Sequence, residues 1–213
     1  DAPDTDVPAS PAEGSTADPQ SEATGVCERE ILRLVDKYGK DAVVASMQGA
    51  QDYVERMVRH RLTELPTGTW ETVDYLDADP AQGERLIPVK ISMTIDDEGI
   101  HYDLAGSAPA VASFLNSGYG TTHSAIYAGT KTFFPEVPLN SGFYRVVQAD
   151  IGEEGTVVNA AWPTAVSGFC SGPYEKLMNG IFELWSQVMP ERAMACAFNL
   201  EYLLIGGTDA RTD

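Results

Sequence analysis

Apolar and polar positions in this chain change period several times, and each change marks an element. From Glu28 onward, Ile31, Leu32, Leu34, Val35 and Tyr38 fall on one helical stripe, and Gly39 suits the left-handed position that closes a helix. Asp41 is placed to cap a second helix. Val43, Val44, Met47, Ala50, Tyr53, Val54, Met57, Val58 and Leu62 keep an i, i+3, i+4 rhythm there. Glu55, Arg56, Arg59 and Arg61 lie largely on the other face, and Pro66 stops the helix at Leu65. The pair reads as an αα-hairpin over 25–66. His60 lies among arginines near the helix C-terminus, where the helix dipole favours a surface cation.

The period then becomes two. Trp70–Leu76, Ile87–Ile95 and Gly99–Leu104 read as strands, with strict alternation in Val89, Ile91, Met93 and Ile95. Asp97-Glu98-Gly99 is a tight turn, which makes Ile87–Leu104 a hairpin. Thr121 or Thr122 would cap a helix running through Ala125, Ile126, Tyr127, Ala128 and Thr130 to Phe134, ended by Pro135. Its small, uncharged residues mark it for burial. After a Pro138–Gly142 turn, Phe143–Ala149 reads as a strand and Val157–Ala161 as extended chain. Tyr174–Val188 is a helix with Leu177, Met178, Ile181, Leu184, Trp185 and Val188 on one face. Ala193–Ile205 is apolar enough for a buried strand, and the chain stops soon after it, which is unusual for a complete domain. The fold class is α+β: a helical hairpin, then mixed strands and buried helices over 67–213, as part of a larger subunit.

Composition narrows the function classes. A hydrophobic content of 43% with 22% charged residues is globular. The net charge of −18 leaves no basic face for phosphates or an anionic membrane surface. No apolar run is long enough to span a membrane, and no basic segment followed by an apolar one reads as a secretory signal. Cys27, Cys170 and Cys196 are odd in number and lack CxxC spacing, which points to reduced thiols in a cytoplasm. Residues 1–24 hold six acids, no base and four prolines, the composition of a disordered acidic arm.

Between Asp103 and Gly168 the chain is dense in Gly, Ser, Asn and Pro, as where loops meet. His123 falls in the first turn of the small-residue helix, where the positive helix end lowers its basicity and suits it to hydrogen bonding or to the role of base. The commoner role for such a histidine is a satisfied core residue. A Ser124–His123–Asp103 triad lacks the nucleophile elbow G-x-S-x-G and is set aside. Asp74, Asp77 and Asp79 with Asp96, Asp97 and Glu98 lack the spacing of a calcium loop. No metal site is expected on this chain.

The segments LRLVDKYGKDAV, ERMVRHRLTELPTGTW, DLAGSAPAVASFLNS, TTHSAIYAGTKTFFPEVPLNSGFYRVV and EEGTVVNAAWPTAV, in that order, resemble the hydantoinase B/oxoprolinase family. The resemblance runs from about Glu28 to Gly207. It implies a subunit of an ATP-dependent cytoplasmic enzyme that activates a carbonyl. One branch of the family opens cyclic amides such as hydantoins and 5-oxoproline. Another carboxylates ketones, and the tail YEKLMNGIFELWSQVMPERAMACAFNLEYLLIGG leans toward this acetone/acetophenone carboxylase branch. Family subunits are more than twice this long, and their His/Asp metal motifs lie in an N-terminal part whose pattern this chain lacks. The resemblance therefore implies a hetero-oligomer in which a hydantoinase A-type subunit binds ATP and a separate N-terminal part carries a divalent metal. The chain itself would hold no cofactor and would be inactive alone. Its catalytic residues are unassigned. Asn116, His123 and Asn140 are implied to face the complete enzyme's cavity and orient a substrate carbonyl or phosphorylated intermediate. A non-catalytic assembly role is the competing class.

Overall fold

The structure is a computed structural model that describes residues 19–195. The chain divides into two compact units between Gly49 and Ala50, whereas the sequence suggests a boundary at Pro66.

In the first unit, helix α1 covers Pro19–Tyr38, and Gly39 follows it with φ of 84°. Helix α2 starts at once and covers Lys40–Leu62, so the division between units falls inside it. Both expected helices are present, with two differences. Asp41 lies inside the first turn of α2 instead of capping it. The expected disordered arm also reaches into helix, because Pro19–Thr24 already belong to α1. Residues 1–18 lie outside the described residues. The apolar stripe of α1 is open: Ile31, Leu32, Leu34 and Tyr38 are 40–57% exposed.

The second unit is built on a four-stranded sheet of order β1-β2-β3-β4. Strands β1 (Gly68–Asp79) and β2 (Gly83–Ile95) form a long antiparallel hairpin with an irregularity between Leu76 and Ala78. Strand β3 (Ile100–Asp103) pairs antiparallel with β2, and β4 (Val147–Asp150) pairs parallel with β3. The expected hairpin turn is present: Asp96 Oδ1 accepts from the N–H groups of Glu98 and Gly99 and pulls the chain round.

Alternation decides which sheet face is covered. Trp70, Thr72, Asp74 and Leu76 register with Met93, Ile91, Val89 and Ile87, the face on which helix α5 (Pro173–Val188) packs. The α5 stripe seen in the sequence is buried there, through Leu177, Ile181, Leu184, Trp185 and Val188. Helix α3 (Tyr119–Thr132) packs on α5 and buries Thr122, Ala125, Ile126, Gly129 and Thr130. At the centre, the Trp185 indole lies against Phe133 and edge-on to Phe134, at centroid distances of 5.4 and 5.3 Å.

Of two extended segments expected from the sequence, one is shortened and the other absent. Ser141–Tyr144 forms a short helix, α4, where a strand from Phe143 was expected; only Val147–Asp150 is strand. Val157–Ala161 makes single bridges and turns instead of a strand. Short 3-10 turns flank α5, at Phe169–Ser171 and Pro190–Arg192. The apolar segment expected as a strand after Ala193 lies, from Cys196 onward, outside the described residues. Among the described residues no helix is long and apolar enough to cross a membrane.

Candidate functional site

The small-residue stretch is where two loops are stitched together. Residues 105–118 and 152–172 share a ladder of backbone bonds: Val157 N–H to Ala108, Ala110 N–H to Gly155, Ser117 N–H to Val157, Ala160 N–H to Ser117 and Gly168 N–H to Phe114. Close approach demands small residues. A Cβ added at Gly168 would sit 2.1 Å from Phe114 Cδ2.

Asn116 is the internal lock of this pair. Its Oδ1 accepts from Val111 N–H at 2.8 Å, and its amide donates to the carbonyls of Val111, Ser113 and Ala165. The side chain is fully buried and directed at backbone on both loops. Asp79, at the end of β1, is buried beside the same loop. Burial works against its ionised form, but the N–H groups of Ala81 and Ala112, the Ser113 hydroxyl and the Arg85 charge outweigh it. The carboxyl is therefore held below the usual aspartate range.

The stitched loops deliver the chain to the N-terminus of α3. Gly118 occupies the cap position and makes no side-chain cap bond. The expected cap at Thr121 or Thr122 is not made. Thr122 is buried and its hydroxyl reaches Val158 O at 2.5 Å and Ser117 Oγ at 2.9 Å.

His123 sits on the outer part of α3, half-buried. Its Nδ1 lies 3.0 Å from Tyr119 O. A carbonyl only accepts, so Nδ1 carries the proton and, in the neutral ring, Nε2 presents a lone pair. The imidazole is one of a row of rings: Tyr119 at 4.2 Å, Tyr127 at 5.9 Å, and then Tyr144 of α4 at 4.4 Å from Tyr127. Tyr119 is 65% exposed, so the row opens to solvent at its α3 N-terminal end.

Asn140 serves α4. Its Oδ1 accepts from Gly142 N–H as a helix cap, and its Nδ2 donates to Ala50 O on α2. A Cβ on Gly142 would lie 2.0 Å from Gln51 O, so α4 rests backbone to backbone on α2. Arg145 completes this latch, donating to Asp52, Glu55 and Gln51. The structure thus links His123 to the Asn140 latch through Tyr127 and Tyr144. Asn116 lies two residues before the α3 cap, with its amide turned into the loops.

Sequence reasoning missed Asp79 and Arg145. Asp79 hid among other strand-end acids; Arg145 carried the better signal, a lone cation in an apolar run. The Arg145 and Arg59 guanidiniums hold Glu55 below the usual glutamate range. A depressed carboxyl contributes stability above its unfolded pKa of about 4.3 and loses it as pH falls through the folded value. In a thermal melt series from pH 7 to 3, Arg145→Met should therefore lie furthest below wild type near pH 7. The gap should close below about pH 4.

Among the described residues, no group of three or more His, Cys, Asp and Glu side chains is placed to hold a metal ion.

The chain belongs to the hydantoinase B/oxoprolinase family, whose sequence profile matches residues 15–213. It is 31% identical over 193 residues to caprolactamase subunit beta of Pseudomonas jessenii, covering 90% of this chain and 33% of that one. The crystal structure of the ATP-dependent caprolactamase from Pseudomonas jessenii superposes with a TM-score of 0.73 at 31% identity, over 81% of this chain and 30% of that one. Acetone carboxylase in its nucleotide-free structure shares the fold, with a TM-score of 0.65 at 18% identity over 76% of this chain and 23% of that one. The chain spans about a third of the length of that caprolactamase subunit.

Proposed function

We propose that this chain is the part of an ATP-dependent, multi-subunit enzyme that presents a cyclic amide for ring opening. The observation that supports it best is the likeness to the caprolactamase beta subunit, extending over nine-tenths of the chain. That relative is named as one subunit of its enzyme. ATP is assigned to a hydantoinase A-type partner, a divalent metal to family sequence outside this chain, and the complex to the cytoplasm.

A lactam carbonyl resists water because its nitrogen lone pair is delocalised onto oxygen. Activation by ATP makes that oxygen a leaving or charge-bearing group, and this chain would orient it. Two features suit the task. The first turn of α3 has no side-chain cap, so its N–H groups can meet an anionic oxygen. On the same helix His123, its Nδ1–H held by Tyr119 O, offers Nε2 as acceptor or base. Asn116 and Asn140 shape the two ends of this surface through the loops and the α4 latch.

The test is His123→Ala in the reconstituted complex. ATP-dependent ring opening is expected to fall about a hundredfold at an unchanged melting temperature. A variant that keeps its turnover, or loses it only in step with stability, returns His123 to a structural role. The shared fold with acetone carboxylase keeps a second reading, ketone carboxylation. Bicarbonate-dependent ATP turnover would select it, whereas ring opening without bicarbonate selects the first.

A further inference from the structure

The least expected surface is that of α1. Cys27, Ile31, Leu34 and Tyr38 recur at spacings of four, three and four, the rhythm of a helix-pairing seam. None is buried; Ile31, Leu34 and Tyr38 count among the exposed large hydrophobic residues. The seam runs into an apolar groove of about 390 Å³ at the Gly39 elbow, lined by Leu34, Tyr38, Ala42, Val43, Ser46 and Met47. Gly39, at φ of 84°, sets the angle of that elbow.

Charge points to the occupant. The chain carries −18, yet residues 25–49 are neutral, with acids Glu28, Glu30, Asp36 and Asp41 matched by bases Arg29, Arg33, Lys37 and Lys40, so two copies can meet there without net repulsion. The order is also self-complementary. Glu30 and Lys37 flank the seam on one side, seven residues apart. Laid antiparallel about a two-fold axis between Leu32 and Arg33, Ile31 of one copy meets Leu34 of the other, and Cys27 meets Tyr38. Glu30 of each copy then comes alongside Lys37 of its mate, twice by symmetry. A parallel pair would set Glu30 beside Val35 instead. In the single chain Glu30 pairs with Arg33 across exposed side chains, and Lys37 lies over the Tyr38 ring. Both contacts are weak enough to exchange.

We propose that α1 is a self-association surface, pairing antiparallel with α1 of a second copy, whose Val26–Cys27 end enters the elbow groove. This stands independently of the carbonyl chemistry above. The seam is short, so the dimer is expected in the micromolar range.

Sedimentation equilibrium of the full chain under reducing conditions, up to several hundred micromolar, tests it. Leu34→Glu should abolish the dimer while far-UV circular dichroism keeps its helix signal. Lys37→Glu should weaken it about tenfold, and Glu30→Lys with Lys37→Glu should restore it. With Cys170 and Cys196 changed to Ser, Tyr38→Cys should cross-link to Cys27 of the mate on mild oxidation, whereas Cys27 alone should not. A chain that remains monomeric overturns the proposal, including one whose seam binds only another part of a family-length subunit. A dimer indifferent to these changes, or one cross-linked through Cys27 alone, overturns it too.

Discussion

Gly142→Ala is expected to destabilise the second unit by about 3 kcal/mol or more, out of proportion to one methyl group. The added Cβ would lie 2.0 Å from the Gln51 carbonyl oxygen and 2.8 Å from its carbon, so something must move. Neither side moves easily. Gln51 lies in the middle of α2, and α4 is fixed by the Asn140 cap, the Asn140–Ala50 bond and the three-way grip of Arg145. The strain should therefore separate α4 from α2 and release Phe143, which is fully buried. Thermal unfolding should shift down by about 6–12 °C. Gly152→Ala is the control: its φ is 74°, yet nothing lies within 4 Å of the added Cβ. That change should cost only the backbone penalty, about 1 kcal/mol. Equal losses at the two sites would show that α4 does not rest on α2 as closely as described.

The same latch shows where sequence reasoning reaches its limit. Pro138-Leu-Asn-Ser-Gly reads as a turn because Asn140, Ser141 and Gly142 favour turns, and the same chemistry caps a helix. What selects the helix is the carbonyl edge of Ala50 and Gln51, some ninety residues earlier in the chain. The start of α3 was misplaced for a related reason. Thr122 has the right side chain for a cap, but its hydroxyl is engaged with Val158, a partner no local window contains. Features set by local period were legible: the alternation of β2, the Asp97–Gly99 turn, the apolar face of α5 and the Gly39 break. In the candidate site, the helical setting of His123 could be read, but a cap at Thr121 or Thr122 would leave Tyr119 before the helix and out of the row of rings. Tyr144 could not be placed, because α4 brings it there from another part of the chain. Asn116 likewise sits in a stretch whose loop character was plain, but its partners Val111, Ser113 and Ala165 were not.

The core should be most sensitive at Trp185. Trp185→Ala is expected to cost about 3–5 kcal/mol, because the ring fills space between Phe133, Phe134 and the sheet that those neighbours cannot close. A second loss is polar. The indole N–H donates to the Tyr102 hydroxyl at 2.9 Å, and that hydroxyl reaches Thr130 Oγ1 at 2.7 Å. Thr130 in turn donates to Ile126 O, so all the protons run one way along the relay. Burial pushes the Tyr102 phenol well above its ordinary range, which keeps it neutral and able to donate. Trp185→Phe keeps one aromatic ring but removes the N–H together with the rest of the indole, so it should cost about 2 kcal/mol, part lost bond and part cavity. Tyr102→Phe should cost a similar amount, and combining the two should cost less than their sum, since the second change removes a group already left without its partner. Denaturant titration of the four proteins measures the coupling. Strict additivity would mean that the relay contributes nothing beyond its separate side chains, and that the tryptophan is held by packing alone.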